Sequence, residues 1–169
     1  ARTYVDQWHC SGVRAANVPV EEAIPTICNM IQRHIGNINM HGLTVADVEH
    51  LLELCLCNSY FRFDETFYRQ TKGVAMGNKM GPPVAILFLH HLELEMQASA
   101  PLKPDFYGRY IDDLLGVWCH GQEAFEEYQA FMNQLHPNIT FTTEMEDENR
   151  SVPFLDIKIS RNNDQTCTT

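Results

Sequence analysis

Two adjacent carboxylates, Asp112 and Asp113, interrupt an apolar and aromatic stretch, GRYIDDLLGVW, which runs from Gly108 to Trp118. Like charges repel each other and apolar flanks offer them little solvation, so the pair cannot lie within one continuous buried strand. The stretch instead predicts a strand, a tight turn and a second strand, with both acids at the turn. A fold that contains it must expose one edge of an antiparallel sheet.

The rest of the chain mixes helical and strand patterns. Apolar spacing predicts helices within residues 18–36, 43–61, 83–97 and 121–137. Within them, Thr44 and Asp47 have the spacing of a capping box, Cys55 is expected on a buried face, and Pro25 is expected to delay or kink its helix. Alternating patterns predict a hairpin within 60–70 and strands within 139–146 and 152–160. The expected fold class is α+β, with an antiparallel sheet and with helices packed on one of its faces.

The composition predicts one folded domain over residues 1–169, because 44% of the residues are hydrophobic and can form a core. The formal net charge of −10 argues against a domain that grips nucleic acid by broad surface electrostatics, whereas clustered acids suit divalent cations. No apolar run approaches the ~20 residues that span a bilayer, so no membrane association is expected. The six cysteines predict reduced thiols in an intracellular protein, nuclear or cytoplasmic, without the spacing of a zinc knuckle.

A glycine-rich segment, TKGVAMGNKMGPP, occupies residues 71–83. Gly73 and Gly77 would let the backbone approach a ligand more closely than residues with side chains allow. Gly81, Pro82 and Pro83 close the segment and favour the start of a helix. An ordinary loop that leads into a helix has the same composition, so both interpretations stay open for this segment alone.

The paired acids have two interpretations as well. In two-metal phosphoryl transfer, carboxylates hold two Mg²⁺ ions roughly 3.5–4 Å apart, and the metals offset the repulsion between the acids. A solvated turn is the alternative, since Asp is common in turns. Two further groups predict ordinary structure: the acidic run Glu144, Glu146, Asp147 and Glu148 predicts a solvated turn, and the aromatics of residues 60–68 predict core and cross-strand packing rather than base stacking.

The ordered set of QTKGVAMGNKMGPPVA, YIDD and PFLDI resembles the reverse transcriptases, most closely those of Penelope-like retroelements, from about Asn17 onward. The resemblance implies a polymerase palm-like sheet, with the fingers and thumb largely absent from this fragment. It implies that Asp112 and Asp113 are catalytic ligands of Mg²⁺ or Mn²⁺. The residues that it implies for nucleotide and template binding are Gln70, Gly73, Ala75, Met76, Gly77 and Tyr110. The implied partners are an RNA template, a DNA primer and deoxynucleoside triphosphates; the oligomeric state is not indicated.

The beginning of the chain departs from that family. A further catalytic aspartate belongs on the strand beside the YIDD hairpin, but CSGVRAANVP has Gly12 there, and residues 1–16 look degenerate. Asp6 is the acid nearby, and its spacing to Asn17 is too long. Because loss of one carboxylate leaves the repulsion between two metals poorly offset, we expect RNA-directed DNA polymerase activity to be impaired or absent in this fragment. The alternative is a catalytically dead palm remnant that acts as a binding or scaffold module.

Overall fold

The computed structural model describes residues 6–11, 17–75, 77–162 and 167–168. The chain divides into two compact units: a sheet unit of residues 1–13 and 92–169, and a helical unit of residues 14–91. Within the described ranges there are four α-helices and three small antiparallel sheets, which confirms the predicted α+β class. None of the helices described is long and apolar enough to cross a membrane.

The helices and strands follow one another in mixed order along the chain. The helices are α1 (Val20–His34), α2 (Val45–Cys57), α3 (Gly81–Ser99) and α4 (Gln122–Met132), with a short 3₁₀ turn at Ile35–Asn37. The strands are β1 (Asp6–Ser11), β2 (Tyr60–Phe63), β3 (Thr66–Arg69), β4 (Phe106–Tyr110), β5 (Asp113–Trp118), β6 (Thr142–Met145), β7 (Ser151–Phe154), β8 (Ile157–Arg161) and β9 (Cys167–Thr168).

Three local features predicted for the helical unit are tested by α1 and α2. The capping box is confirmed, because the Asp47 amide donates to Thr44 Oγ1 at 3.2 Å and the Thr44 amide donates to Asp47 Oδ2 at 2.8 Å. Helix α1 begins at Val20 and continues through Pro25, so the proline does not delay its start. The expectation that Cys55 is buried is wrong: Leu52 and Leu56 are the buried residues of α2, and Cys55 is exposed.

The predicted hairpin in the helical unit is formed by β2 and β3. Asp64 and Glu65 connect the strands with φ of 45° and 63°, as a type I′ turn requires. Phe61 and Tyr68 stack across the strands with ring centroids 5.5 Å apart, so cross-strand packing is confirmed for this pair. The hairpin still leaves large rings uncovered, with Phe67 74% exposed. Its aromatics therefore do not belong to the core of the described structure.

The main sheet of the sheet unit has the strand order β4-β5-β1-β6, and all of its pairs are antiparallel. Along β5 the side chains alternate, so that Leu114 and Trp118 are buried. The α4 rings of Phe125 and Tyr128 contact Trp118 with centroids 5.7 Å and 4.9 Å away. Helix packing on one face of this sheet is therefore confirmed, and Asp113 starts β5 on the other face.

A glycine leaves space for a tryptophan in this core. Gly116 of β5 lies opposite Trp8 of β1, and a Cβ atom placed on Gly116 would lie 2.4–2.5 Å from three atoms of the indole. Trp8 is fully buried, and it also contacts the Phe125 ring at a centroid distance of 5.6 Å. The sheet thus has room for the indole because residue 116 has no side chain.

The chain after α4 forms a third sheet, β7-β8-β9. The prediction of one strand over 152–160 is wrong, because β7 and β8 form a hairpin whose turn is Leu155 and Asp156. The acidic run is the predicted solvated turn only in part: Asp147 and Glu148 lie exposed between β6 and β7, whereas Glu144 belongs to β6 and Glu146 pairs with Arg161, with its side chain 9% exposed. Asp147 accepts hydrogen bonds from Lys158 Nζ and from the amides of Ser151 and Asn149, which lower the pKa of its carboxyl group.

Candidate active site

The two adjacent acids lie where strands β4 and β5 meet. Tyr110 and Asp113 form the last cross-strand pair, and Ile111 and Asp112 are the two residues of the turn. The predicted strand–turn–strand arrangement is confirmed. Both carboxyl-bearing residues are partly exposed, and the Tyr110 side chain is 57% exposed. The turn therefore presents two carboxylates and one phenol together at an accessible edge of the sheet.

The turn has an unfavourable backbone conformation. Ile111 has φ of 55°, a region that β-branched residues rarely adopt because the side chain clashes with the backbone. A conformation of this kind costs about 1–3 kcal/mol and persists only where surrounding contacts hold it. Such residues concentrate at active sites and ligand-binding sites, so the strain at Ile111 supports a functional role for the turn.

Three side chains on the helix-covered side of the sheet hold this turn, and we call Arg109, Glu93 and Tyr107 the Arg109 clamp. The guanidinium of Arg109 donates to both carboxylate oxygens of Glu93 on α3, from Nε at 2.6 Å and from Nη2 at 3.1 Å. Its Nη1 donates to the carbonyl oxygen of Ile111 at 2.9 Å. One arginine thus joins a helix to the strained residue of the turn.

Tyr107 completes the Arg109 clamp. Its hydroxyl donates to Glu93 Oε1 at 2.7 Å. Burial, together with the neighbouring Glu93 carboxylate, raises the pKa of Tyr107, so the phenol keeps its proton and remains a donor. The ion pair itself is largely shielded from solvent, with the side chains of Arg109 and Glu93 each 14% exposed.

A second hairpin has the same kind of turn. In β7–β8, Phe154 pairs with Ile157, and the turn is Leu155, with φ of 53°, followed by Asp156. Both hairpins therefore have an aromatic residue, an aliphatic residue at positive φ and an aspartate in succession. They differ at the residue after this aspartate, which is Asp113 in one hairpin and Ile157 in the other.

Strand β1 lies beside β5, where the further catalytic acid was sought. The register pairs Cys10 with Leu114 and Asp6 with Trp118, so Asp6 lies at the end of β5 that is remote from the turn. Residues 7–11, QWHCS, contain no acid. The register therefore gives no support to Asp6 as a substitute for the aspartate that the resemblance implies, and Gly12 lies outside the described residues.

The carboxylates of Asp112 and Asp113 offer the oxygen ligands that Mg²⁺ and Mn²⁺ prefer. Adjacent acids on a partly exposed turn fit one such cation, because a divalent charge offsets their repulsion. Within 6–11, 17–75, 77–162 and 167–168, no group of three His, Cys, Asp or Glu side chains could hold a metal ion. Among the described residues, the turn therefore brings together two carboxylates without a third side chain of these types positioned to complete a metal site.

The predicted nucleotide-binding loop belongs to the helical unit. Gln70 Nε2 donates to the carbonyl oxygens of Lys72 at 2.8 Å and Gly73 at 3.3 Å, which closes the start of the loop. Gly73 and Gly77 have φ of 66° and 91°. A Cβ on Gly77 would meet nothing within 4 Å, so the glycine there is required by the backbone conformation rather than by crowding inside the chain.

The remaining loop residues are positioned from α2. Asn78 Nδ2 donates to the carbonyl oxygen of Cys55 at 2.7 Å, and Asn78 Oδ1 accepts from the Met80 amide at 2.9 Å. Ala75 accepts a hydrogen bond from the Asn78 amide at 3.0 Å through its carbonyl oxygen. Met76, also predicted for nucleotide binding, lies outside the described residues. Of the predicted site residues, the structure brings Tyr110, Asp112 and Asp113 together in one turn.

Comparison with known proteins identifies the fold but no family. No protein-family model and no curated protein sequence matches the chain. Its fold is similar to that of telomerase from Candida albicans, solved in complex with a TWJ fragment of telomeric RNA, with a TM-score of 0.60 and 10% sequence identity. The match covers 96% of this chain and 30% of the telomerase chain, so this chain spans less than a third of that protein's length.

Sequence reasoning missed the residues that hold the site. Arg109 and Tyr107 alternate along β4 and so share one face, a pattern visible in the sequence. Glu93 gave a weaker signal, as one of two acids within the apolar helix α3. Asn78 gave none, because its partner, the Cys55 carbonyl oxygen, lies 23 positions earlier, on α2.

Proposed function

We propose that this chain is the palm region of a reverse transcriptase from a retroelement, most like the Penelope-like elements. In this proposal Asp112 and Asp113 hold Mg²⁺ or Mn²⁺ for nucleotidyl transfer onto the 3′-hydroxyl of a DNA primer that is paired with an RNA template. The activity of the fragment is impaired, since the acid expected on β1 is missing.

One observation carries the proposal: two adjacent carboxylates occupy a strained, accessible hairpin turn in a chain whose fold is similar to that of a telomerase segment. Telomerase is itself a reverse transcriptase, and the similar structure contains a fragment of telomeric RNA, which supports nucleic-acid binding. A solvated turn of the same kind accounts for one aspartate, as at Asp156, but it gives no reason for a second acid beside the first.

The residues have separate roles in this function. A bound divalent cation would supply the positive charge that assists attack on the α-phosphate and departure of pyrophosphate. Asp112 and Asp113 hold that cation, and the exposed Tyr110 ring beside them contacts the nucleotide or template. Gln70, Gly73, Ala75, Met76 and Gly77 form the loop that positions the incoming nucleotide and the template base.

Metal binding tests the proposal directly. We expect Mn²⁺, followed by electron paramagnetic resonance, to bind the wild-type chain saturably, and Asp112→Asn to weaken this binding because it removes a charged ligand. The loss is expected to exceed the roughly 10–100-fold caused when an outer partner of a metal ligand is removed. Asp156→Asn is the matched control, since it removes the same charge from a turn of the same geometry that carries one acid.

Equal Mn²⁺ affinity in the wild type, Asp112→Asn and Asp156→Asn would refute metal binding at this turn. If the turn does bind Mn²⁺, primer extension by a longer chain, with sequence added at both ends, tests the polymerase itself. Extension of a DNA primer on RNA that disappears in Asp112→Asn supports the proposal. A longer chain that binds metal but extends no primer would contradict the proposed polymerase activity, although the turn would still be a metal-binding site.

A second candidate is a catalytically dead palm remnant that serves as a binding or scaffold module. The register of β1 favours it, because residues 7–11 contain no acid beside the turn and the described residues hold no three-ligand metal cluster. This candidate predicts no extension by the longer chain even when metal is in excess. It also predicts that binding of an RNA–DNA duplex is the same for Asp112→Asn as for the wild type.

A further inference from the structure

We propose that Arg109 is a positioning residue: held by Glu93, it fixes the backbone of the turn so that Asp112 and Asp113 face one cation together. The metal-binding role of the two acids rests on the proposed function above. The control of the Ile111 backbone by Arg109 does not, and it can be tested without metal or substrate.

The argument begins with the hydrogen bonds of a single guanidinium. Two of its nitrogens donate to Glu93, which fixes the plane of the group, and Nη1 then points at the Ile111 carbonyl oxygen. Planar, bidentate pairing is specific to arginine; the ammonium group of lysine cannot reproduce it. The position of the Ile111 carbonyl is therefore set by a helix rather than by the turn residues alone.

The strain at Ile111 gives the hydrogen bond from Arg109 a conformation to stabilise. A β-branched residue at φ of 55° relaxes toward negative φ unless its neighbours prevent this. Rotation of the peptide plane between Ile111 and Asp112 would carry the Ile111 carbonyl oxygen away from Arg109 Nη1. It would also change the direction of the Asp112 side chain. The hydrogen bond from Arg109 opposes that rotation.

The β7–β8 hairpin can be compared with the β4–β5 hairpin, because its turn carries one acid instead of two. Its turn has the same sign of φ at Leu155, but the residue that corresponds to Arg109 is Pro153, which has no side-chain donor. A two-residue turn of this type therefore forms in this chain without an arginine. The arginine accompanies the turn with two carboxylates, where the relative direction of the acids matters.

The side chains of the Arg109 clamp also have little freedom to move. The side chains of Arg109 and Glu93 are each 14% exposed, and Tyr107 donates to the Glu93 oxygen that accepts from Arg109 Nε. With three hydrogen bonds, Glu93 has little freedom to rotate, and a buried pair is screened less by salt than a surface pair. Exposed ion pairs, such as Lys158 with Asp147, do not constrain a backbone to this degree.

The test compares Arg109→Lys with Arg161→Lys by backbone NMR without metal, using Ile111 couplings and Cα shifts that report the sign of φ. Arg161 pairs with Glu146 through two nitrogens and has the same 14% side-chain exposure, so it matches Arg109 in burial and in pairing. We expect the positive-φ pattern of Ile111 to be lost or broadened in Arg109→Lys and retained in Arg161→Lys. A folded Arg109→Lys with an unchanged Ile111 pattern overturns the proposal.

Mn²⁺ affinity is the second measurement. A reduction of roughly 10–100-fold in Arg109→Lys, with no comparable reduction in Arg161→Lys, is expected for a residue that acts through metal ligands. If Arg109→Lys does not fold, Tyr107→Phe removes one hydrogen bond to Glu93 and is expected to shift the Ile111 pattern more weakly in the same direction. Absence of Mn²⁺ binding in the wild type would end the proposed function, while the Ile111 pattern would still decide the role of Arg109.

Discussion

Gly116→Val is expected to abolish stable folding of the sheet unit. The first added carbon would lie 2.4–2.5 Å from the Trp8 indole, a separation that requires either the strand or the ring to move. The indole has no room to move, because it is fully buried and contacts the Phe125 ring. Overpacking of a core costs about 1–3 kcal/mol when neighbours can adjust. A larger cost would remove much of the free energy of unfolding, which is about 5–15 kcal/mol for a typical domain. Thermal unfolding followed by far-UV circular dichroism measures the loss.

Gly108→Val is the matched control for this substitution. It introduces the same side chain into the same sheet, on strand β4, at a position opposite Leu115. Its nearest neighbour would be the end of the Phe106 ring at 3.3 Å, and that ring is 53% exposed and can rotate away. We expect a small change in melting temperature. If Gly116→Val melts as the control does, the close contact between Gly116 and Trp8 does not limit this fold.

Gly77→Val is expected to remove nucleotide binding while it costs only moderate stability. At φ of 91° a β-branched residue is strained, at a cost of about 1–3 kcal/mol, although no atom lies within 4 Å of the new Cβ. The added side chain would instead occupy the open space from which, in the proposed function, a nucleotide approaches. Equilibrium binding of a deoxynucleoside triphosphate, expressed per folded molecule, measures the effect.

Gly42→Val separates strain from ligand contact. Gly42 has φ of 84°, also has nothing within 4 Å of a Cβ, and lies in the same helical unit. Both variants are therefore expected to lose similar stability, and only Gly77→Val is expected to lose nucleotide affinity. Equal nucleotide affinity in the two variants would mean that the glycine-rich loop has a structural role alone.

The elements with strong local patterns were predictable from the sequence. The turn at Asp112 and Asp113 followed from solvation, since two acids between apolar strands require an exposed bend. The capping box at Thr44 followed from residue spacing. Both depend on residues within one turn of each other, which is why the sequence contains enough information to predict them.

The errors arose where partners distant in sequence decide the outcome. Cys55 fitted an apolar helical spacing, but burial of α2 depends on what packs against it, and the buried positions are Leu52 and Leu56. The segment around Leu155 alternated like one strand, although a turn that requires positive φ at a leucine interrupts it. No local rule predicts that conformation, since glycine or asparagine is preferred there.

The candidate site was predicted in part for the same reason. Its two acids, Asp112 and Asp113, were recognisable because two charges in an apolar stretch are rare. The residues that hold them were not: Glu93 precedes Arg109 by 16 positions, and their pairing depends on how α3 packs against β4. Whether Asp6 lies near enough to the turn to act as the expected upstream acid could be assessed only from the register of β1, which places Asp6 opposite Trp118.

The aromatic core of the sheet unit makes the two units optically distinguishable. Trp8 and Trp118 are the two tryptophans of the chain; both are fully buried in that unit, and residues 14–91 contain none. Tryptophan fluorescence therefore reports on water reaching the indoles of the sheet unit, and no tryptophan in residues 14–91 reports on the melting of α1 and α2. A denaturation curve read by emission alone would miss any separate transition of the segment that carries the glycine-rich loop.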